Sequence, residues 1–308
     1  VFMNNKANTI AIIGIGLIGS SIARAIRHYE TGHKLIVFDH DENALEDARA
    51  LDLADAYYTG LENVAEADII IFCTPVLTYE AIAEAIKPHL KPDAIISDVG
   101  SVKETVLQCF KKVFGTDYHY IPAHPVAGTE QSGPKAGFAS LFHGRWCIIT
   151  PPEYADAGAV SKIRQLWASM GATVEEMDAQ HHDLVLAITS HVPHLIAYNI
   201  VGTASDLEEV TRSEVIKYSA GGFRDFTRIA ASDPTMWRDV FLSNKDAVLE
   251  MLGRFSEDLT ALQRAIRWND GDALYTLFSR TRDIRRRIID AGQDEAGPDF
   301  GRPHNGED

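Results

Sequence analysis

The first half of the chain alternates short apolar runs with stretches of helical periodicity. Thr9–Ile13 is apolar and β-rich, Gly14-Ile15-Gly16-Leu17-Ile18-Gly19 follows, and Ser20–Ile26 is apolar at helical intervals. This order predicts strand, glycine turn, helix. Leu35–Phe38 repeats the pattern, closes on Asp39 and precedes a predicted helix over 42–51. Further apolar runs at Ile69–Cys73, Ala94–Ser97, Tyr118–Pro122, Cys147–Thr150 and Ala172–Glu175 alternate with segments of helical length. Strands buried on both faces of a parallel sheet have this texture.

Past Glu176 the strand-like runs stop, and Asp178–Val201 reads as one long helix. Asp233-Pro234 matches an N-cap followed by proline at the first helical position, and launches a predicted helix reaching Trp268. Asn269-Asp270-Gly271 breaks the pattern, and Asp272–Asp290 is a last helix. The remaining stretch is rich in glycine and proline and poor in apolar residues, which predicts a disordered tail. The fold expected is α/β: a doubly wound Rossmann-type sheet domain over 1–176, an all-helical domain over 177–290 and a tail over 291–308.

A chain of 308 residues with 45% hydrophobic and 24% charged residues has room for two folded domains and does not have the composition of a disordered protein. The formal charge of -15 repels phosphate backbones and anionic surfaces, so neither nucleic acid nor membrane is an expected partner. Cys73, Cys109 and Cys147 are far apart, which suggests no disulfide framework and no thiolate zinc site, and makes the cytoplasm the default compartment. Val1–Asn8 has no apolar core of a signal peptide, and no uninterrupted run approaches the roughly 18 apolar residues of a membrane span.

The glycine motif carries the first chemistry. Gly14 permits a tight turn, Gly16 lets the backbone approach a pyrophosphate, and Gly19 allows close helix–strand packing, with Leu17 and Ile18 opening the helix whose N-terminus faces the phosphates. Asp39, 20 residues after Gly19, is placed to accept from both ribose hydroxyls and to repel a 2′-phosphate, which favours NAD over NADP. Thr74-Pro75 closes the next strand of this series, either lining the ligand crevice or forming a plain turn.

Dinucleotide binding does not define a reaction. His124, in a turn just past a predicted strand, is of the residue type best matched to drawing a proton from a carbinol near neutral pH; its alternative is a turn histidine bonded to backbone. Ser101 either orients that imidazole or the substrate hydroxyl, or caps a helix. His191 and His194 are helical neighbours beside Pro193, which should kink the helix; they either anchor an anionic substrate or are hydrogen-bonded core residues, and no further ligand spacing points to a metal. Arg228 follows a glycine-rich segment expected to be a loop, and either clamps a carboxylate or pairs with Asp225 or Glu130. The arginines between Arg280 and Arg287 fit dipole complementarity at a helix end.

Three stretches, His124–Glu130 (HPVAGTE), Ser190–His194 (SHVPH) and Gly221–Trp237 (GGFRDFTRIAASDPTMW), together resemble the prephenate/arogenate (cyclohexadienyl) dehydrogenase family of tyrosine biosynthesis. The resemblance covers about residues 9–290 and implies NAD-dependent oxidative decarboxylation of a cyclohexadienyl ring. It assigns the base to His124, hydroxyl orientation to Ser101 and carboxylate binding to Arg228. It also implies a pocket lined by Thr129, Ser190 and His194, an ionic gate of Glu130, Asp225 and Arg228, and a nearby aromatic at Trp237. A homodimer formed through the helical domain, a small-molecule substrate and feedback by tyrosine at the active site are further implications. Two other readings compete. A β-hydroxyacid dehydrogenase of the 6-phosphogluconate type would place a catalytic lysine in the long helix, yet Asp178–Val201 has none; a non-catalytic NAD-binding regulator would need neither His124 nor Arg228.

Overall fold

The computed structural model describes residues 8–29, 31–211 and 221–290, the side chains of 207–211 and 288–290 excepted; the tail expected over 291–308 lies outside the described residues. The chain forms two compact units, Val1–Met251 and Leu252–Asp308. In the first, β1 (Thr9–Ile13), β2 (Lys34–Phe38), β3 (Ala56–Tyr58), β4 (Ile69–Phe72), β5 (Ile95–Asp98) and β6 (His119–Tyr120) form a parallel sheet in the order β3-β2-β1-β4-β5-β6. Ile12 of β1 sits beside Val37 on one side and Ile71 on the other. Successive residues of β1 serve opposite layers, as the two-residue period of a strand requires. Ile10 and Ile12 pack with α1 (Leu17–His28), α2 (Glu42–Ala50) and α5 (Ala157–Ser169). Ala11 and Ile13 pack with α3 (Tyr79–Ile86) and α4 (Glu104–Phe114). This is the doubly wound Rossmann arrangement, with its topological switch between β1 and β4.

The structure departs from the sequence pattern in two places here. The apolar runs at 147–150 and 172–175 do not extend the main sheet. As β8 (Trp146–Ile149) and β9 (Thr173–Glu176) they pair with β7 (Ala123–Pro125) in a second, three-stranded sheet, β7 antiparallel to β8. His124 therefore lies on a strand and not in a turn. Pro122 separates β6 from β7, and its carbonyl accepts from the Thr150 amide, so the chain changes sheets at a residue with no N–H to offer the first ladder.

The helical part of this unit begins with α6 (Ala179–Leu186), a π turn at Ala187–His191 and α7 (Val192–Thr211). The kink expected from Pro193 takes the form of that π turn, one residue of helix before the proline. From Ala179 to Asp206 this continuous helix is long and apolar enough to cross a membrane by length and mean hydropathy, 1.5, although it carries the buried polar residues His182, Asp183 and His191. Gly221–Thr227, expected as a loop, is helix α8, followed by a 3-10 turn at Arg228–Ala231. Its two glycines occupy the first turn, where N–H groups have no intrahelical partner in any case. The single helix expected from Asp233 to Trp268 is two, α9 (Pro234–Ser243) and α10 (Lys245–Arg267), because Asn244 leaves helical geometry. Asp233 caps α9 through the Met236 amide, as its sequence predicts.

The second unit contains the rest of α10 and α11 (Gly271–Asp290), joined by a turn in which Asn269 has φ 56°. Ile266, Trp268, Tyr275 and Phe278 are exposed.

Gly14 has φ 97°, and a Cβ built on Gly19 would lie 2.1 Å from the Gly14 carbonyl oxygen. Nothing lies within 4 Å of a Cβ on Gly16, which has ordinary negative φ. Gly19→Ala is expected to cost about 1–3 kcal/mol through backbone overpacking. In a unit of this size that lowers Tm by roughly 2–12 °C. Gly16→Ala should leave Tm unchanged, and parallel thermal melts of the two variants check the contrast.

Candidate active site

The carboxyl ends of β1 and β4 meet at the switch point. The Gly14 amide donates to the Phe38 carbonyl at 2.8 Å, and a Cβ on Gly14 would strike Cys73 and the Thr74 side chain, each at 2.9 Å. Gly16 is the N-cap of α1, and Leu17, Ile18 and Gly19 form its first turn, so the helix offers unsatisfied N–H groups beside open space. Asp39, just past β2, accepts from the Ile15 amide at 2.9 Å and from the Asp41 amide at 3.0 Å. Its carboxylate is thereby fixed against the glycine turn. Thr74 and Thr78 share a hydroxyl hydrogen bond of 2.8 Å, and Pro75 leads into the turn before α3. These residues fit a dinucleotide: a tight turn, an opening where backbone meets phosphate, and a carboxylate at the neighbouring strand end.

His124 is 8% exposed on β7. Its Nδ1 lies 2.8 Å from His182 Nε2, and His182 Nδ1 lies 2.8 Å from Asp183 Oδ1. The carboxylate of Asp183 also receives the Lys103 amide at 2.7 Å and the Glu104 amide at 3.0 Å, so a residue of α6 caps α4 from 80 positions away. Burial holds the His124 imidazole well below its ordinary pKa, with His182, Lys103 and His191 adding in the same direction. Burial also lowers His182, against the opposing hydrogen bond to Asp183. His124 is consequently neutral at physiological pH, the state a base requires.

Behind this ring lies an ion pair with no solvent exposure. Lys103 Nζ reaches both oxygens of Asp98, at 2.7 and 2.6 Å, and the Ala123 carbonyl at 2.7 Å. Three acceptors at this distance match the three hydrogens of an ammonium paired with a carboxylate. Asp98 further accepts from the Gly100 amide at 2.7 Å, the Ala123 amide at 3.1 Å and the Tyr79 hydroxyl at 3.3 Å. Burial raises Asp98 and lowers Lys103, while the attraction between them opposes both shifts. Ser101, between the two partners in sequence, is half-buried; the N-cap of α4 is Lys103, so the capping alternative for Ser101 is not realised.

The helical side supplies the remaining candidates. His194 stacks on Trp237 with centroids 3.7 Å apart, and its Nδ1 donates to the Ser190 carbonyl at 2.8 Å. His191 is fully buried, accepts at Nδ1 from the Asn244 amide at 3.1 Å and meets Trp237 edge-on; burial lowers its pKa to about 4. Its Nε2 is buried without a hydrogen-bond partner among the described residues, so these contacts satisfy one ring nitrogen only. Arg228 donates to Glu130 Oε2 at 2.6 Å, bringing the 3-10 turn after α8 to the loop after β7. Thr129 is exposed and accepts from the Gln131 amide; Asp225 is half-buried on α8. The structure thus joins His194 to Trp237 and Arg228 to Glu130, and Arg228 lies near enough to His194 to help lower its pKa, after burial. Among the described residues no cluster of three or more His, Cys, Asp or Glu is disposed to hold a metal ion.

The segment Ser97–Lys103 stands out in the sequence, but its pattern assigns no role to Asp98 or Lys103, nor does the sequence assign one to His182 or Asp183. The run His181-His182-Asp183 behind the N-cap Asp178 was the available signal, since a histidine adjacent to a carboxylate on a helix face is a candidate orienting pair.

Residues 22–176 match the family described as prephenate dehydrogenase, nucleotide-binding domain, and residues 178–280 match prephenate dehydrogenase, dimerization domain. The chain is 43% identical to the cyclohexadienyl dehydrogenase of Zymomonas mobilis over 90% of its own length and 94% of that protein. It is 34% identical to the prephenate dehydrogenase of Bacillus subtilis, over 92% and 76% respectively. Among solved structures, the prephenate dehydrogenase of Aquifex aeolicus in complex with hydroxyphenyl propionate and NAD+ superposes with a TM-score of 0.87 at 30% identity, covering 93% of this chain and all of that one (100%).

Lys103→Met would leave Asp98 buried without its counter-ion, a change that costs about 3–5 kcal/mol in comparable pairs. A Tm lower by roughly 6–20 °C is the expected result, measured by calorimetry.

Proposed function

The chain belongs to the prephenate dehydrogenase family, and from that membership we propose that it oxidatively decarboxylates prephenate, arogenate or both, in tyrosine biosynthesis. The observation that carries the reading to named residues is the buried, neutral imidazole of His124 in a chain whose glycine turn fits a dinucleotide. NAD, held by the turn from Gly14 to Gly19 and by Asp39, supplies the hydride acceptor. His124 accepts the substrate hydroxyl proton at Nε2 as hydride leaves the carbinol carbon. Loss of the ring carboxylate as carbon dioxide leaves its bonding pair to complete the aromatic ring, and the proton returns to the phenolate oxygen. No net proton is released. Ser101 orients the hydroxyl.

Arg228 binds a substrate carboxylate. Its side chain is 60% exposed and its pair with Glu130 has surface character, worth little to stability, so the guanidinium is available to trade that partner for an anion. Thr129, Ser190, His194 and Trp237 line the pocket in this reading, with Glu130 and Asp225 at its mouth. Residues 1–176 carry the cofactor, the base and one wall of the pocket, and 177–290 the remaining substrate contacts and a homodimer interface; the exposed Trp268, Tyr275 and Phe278 support association. Tyrosine, which resembles the product, competes for the same pocket, and the enzyme works in the cytoplasm.

NADH formation from NAD with each of the two dienyl acids tests the reading; a chain inert to both overturns it. His124→Asn should lower kcat by about 10²–10⁴-fold, the range of a lost general base, whereas Arg228→Ala should mainly raise KM with Tm unchanged. The base acts when neutral and its pKa lies below the ordinary value of 6.5. Activity is therefore retained above that value and lost as pH falls through the depressed one, so the acid limb of log kcat/KM, which reports the free enzyme, should lie below pH 6.5.

A further inference from the structure

We propose that Asp183 and His182 are positioning residues that lock His124 in the tautomer whose Nε2 is unprotonated, and that they share the charge of the imidazolium while it holds the substrate proton. The inference rests on the proposed role of His124 as base, and goes on to say why that ring is competent.

The argument is one of donors and acceptors. Two backbone amides, those of Lys103 and Glu104, donate to the Asp183 oxygens at the N-terminus of α4, where a negative charge is favoured. Asp183 is thus an ionised carboxylate and can only accept. The short contact to His182 then makes His182 Nδ1 the donor. A neutral imidazole protonated at Nδ1 has its lone pair at Nε2, which lies 2.8 Å from His124 Nδ1. That nitrogen of His124 must carry the hydrogen, and its Nε2 is left as the acceptor. With both rings neutral, as their lowered pKa values favour, reversing any one bond would point a hydrogen at a hydrogen or a lone pair at a carboxylate.

Charge follows the same path. The groups facing the two rings are Lys103 and Asp98 from the β5–α4 junction, Cys147 from β8, His191 from the π turn and Asp183 from α6. Lys103 already bonds three acceptors and repels a cation on His124. The hydrogen bond to His182 draws positive charge towards Asp183, away from that ammonium. When Nε2 of His124 takes the substrate proton, the Nδ1 hydrogen shifts towards His182 Nε2 and recedes again when the proton is returned. No atom is lost or gained.

The test uses the full chain with two replacements. Asp183→Asn removes the negative charge at the end of the relay while its amide oxygen can still face His182 Nδ1 and the Lys103 amide; His182→Leu removes the relay but leaves both caps of α4 intact. For each variant kcat should fall by about 10²–10⁴-fold while KM for the dienyl acid stays within about threefold. A structural role alone would lower Tm and raise KM without selectively lowering kcat. In ¹⁵N-histidine spectra the parent should show His124 protonated at Nδ1 and bare at Nε2, with that preference lost in His182→Leu. Turnover within threefold of the parent in both variants, or a parent His124 protonated at Nε2, overturns the proposal. A parent without activity towards either dienyl acid would instead sink the assigned reaction, and the spectra would still decide the tautomer.

Discussion

The arrangement of the site depends on the ammonium of Lys103 being held where no water reaches it. Its Nζ is tied to Asp98 at the end of β5 and to the carbonyl of Ala123, one residue before His124, while its backbone amide holds Asp183. One residue therefore sets the spacing of three segments: the strand end that leads to Ser101, the strand that carries His124, and the helix that carries His182. Removing two charges from water is expensive, and an apolar substitute of equal volume is often as stable. The gain from such a pair lies in geometry. Asp98 accepts from Gly100, Ala123 and Tyr79 as well, so its position is determined from several directions at once.

Saturation has a chemical consequence. Lys103 has spent its donors on protein acceptors and cannot serve an anionic ligand. In a chain of net charge -15, attraction of a dianion has to come from a local, accessible cation. Arg228 meets that description because its partner Glu130 holds it by an exposed, single contact rather than by a buried network. In the proposed function rigidity and recognition are divided between two cations: one buried and fully bonded, the other near solvent.

Much of this was legible in the sequence, for reasons that can be located. The glycine turn, β1, β2 and Asp39 follow from local chemistry, and the Asp233-Pro234 cap from the preference of an N-terminus for that pair. What escaped was decided by long-range pairing. β3, three half-buried residues, is too short a run to announce itself, and nothing in Cys147–Thr150 says which sheet it joins. The helix predicted from Asp233 breaks at Asn244 because that side chain is engaged elsewhere, donating to the Asp183 carbonyl at 2.8 Å and to His191. The glycines of α8 misled for the opposite reason: their cost is small in a first turn, and the following residues are ordinary helix formers. His182 and Asp183 lie 58 and 59 positions from His124, and only the folded chain brings them together.

Burial makes His124 a weak base, which at first sight works against proton transfer. A base strong enough to be protonated at neutral pH would be useless, because most of it would already hold a proton. A weaker one is ready in every molecule, and its smaller driving force matters less where the proton has only to move partway and come back. In the proposed reaction it does both, since the phenolic oxygen recovers the hydrogen it lent and aromatisation, not proton release, drives the step forward. The environment that depresses the imidazole also excludes water from the ring, so that the hydroxyl of a bound substrate meets a nitrogen whose orientation has been fixed in advance. Low basicity and preorganisation are thus two results of the same burial.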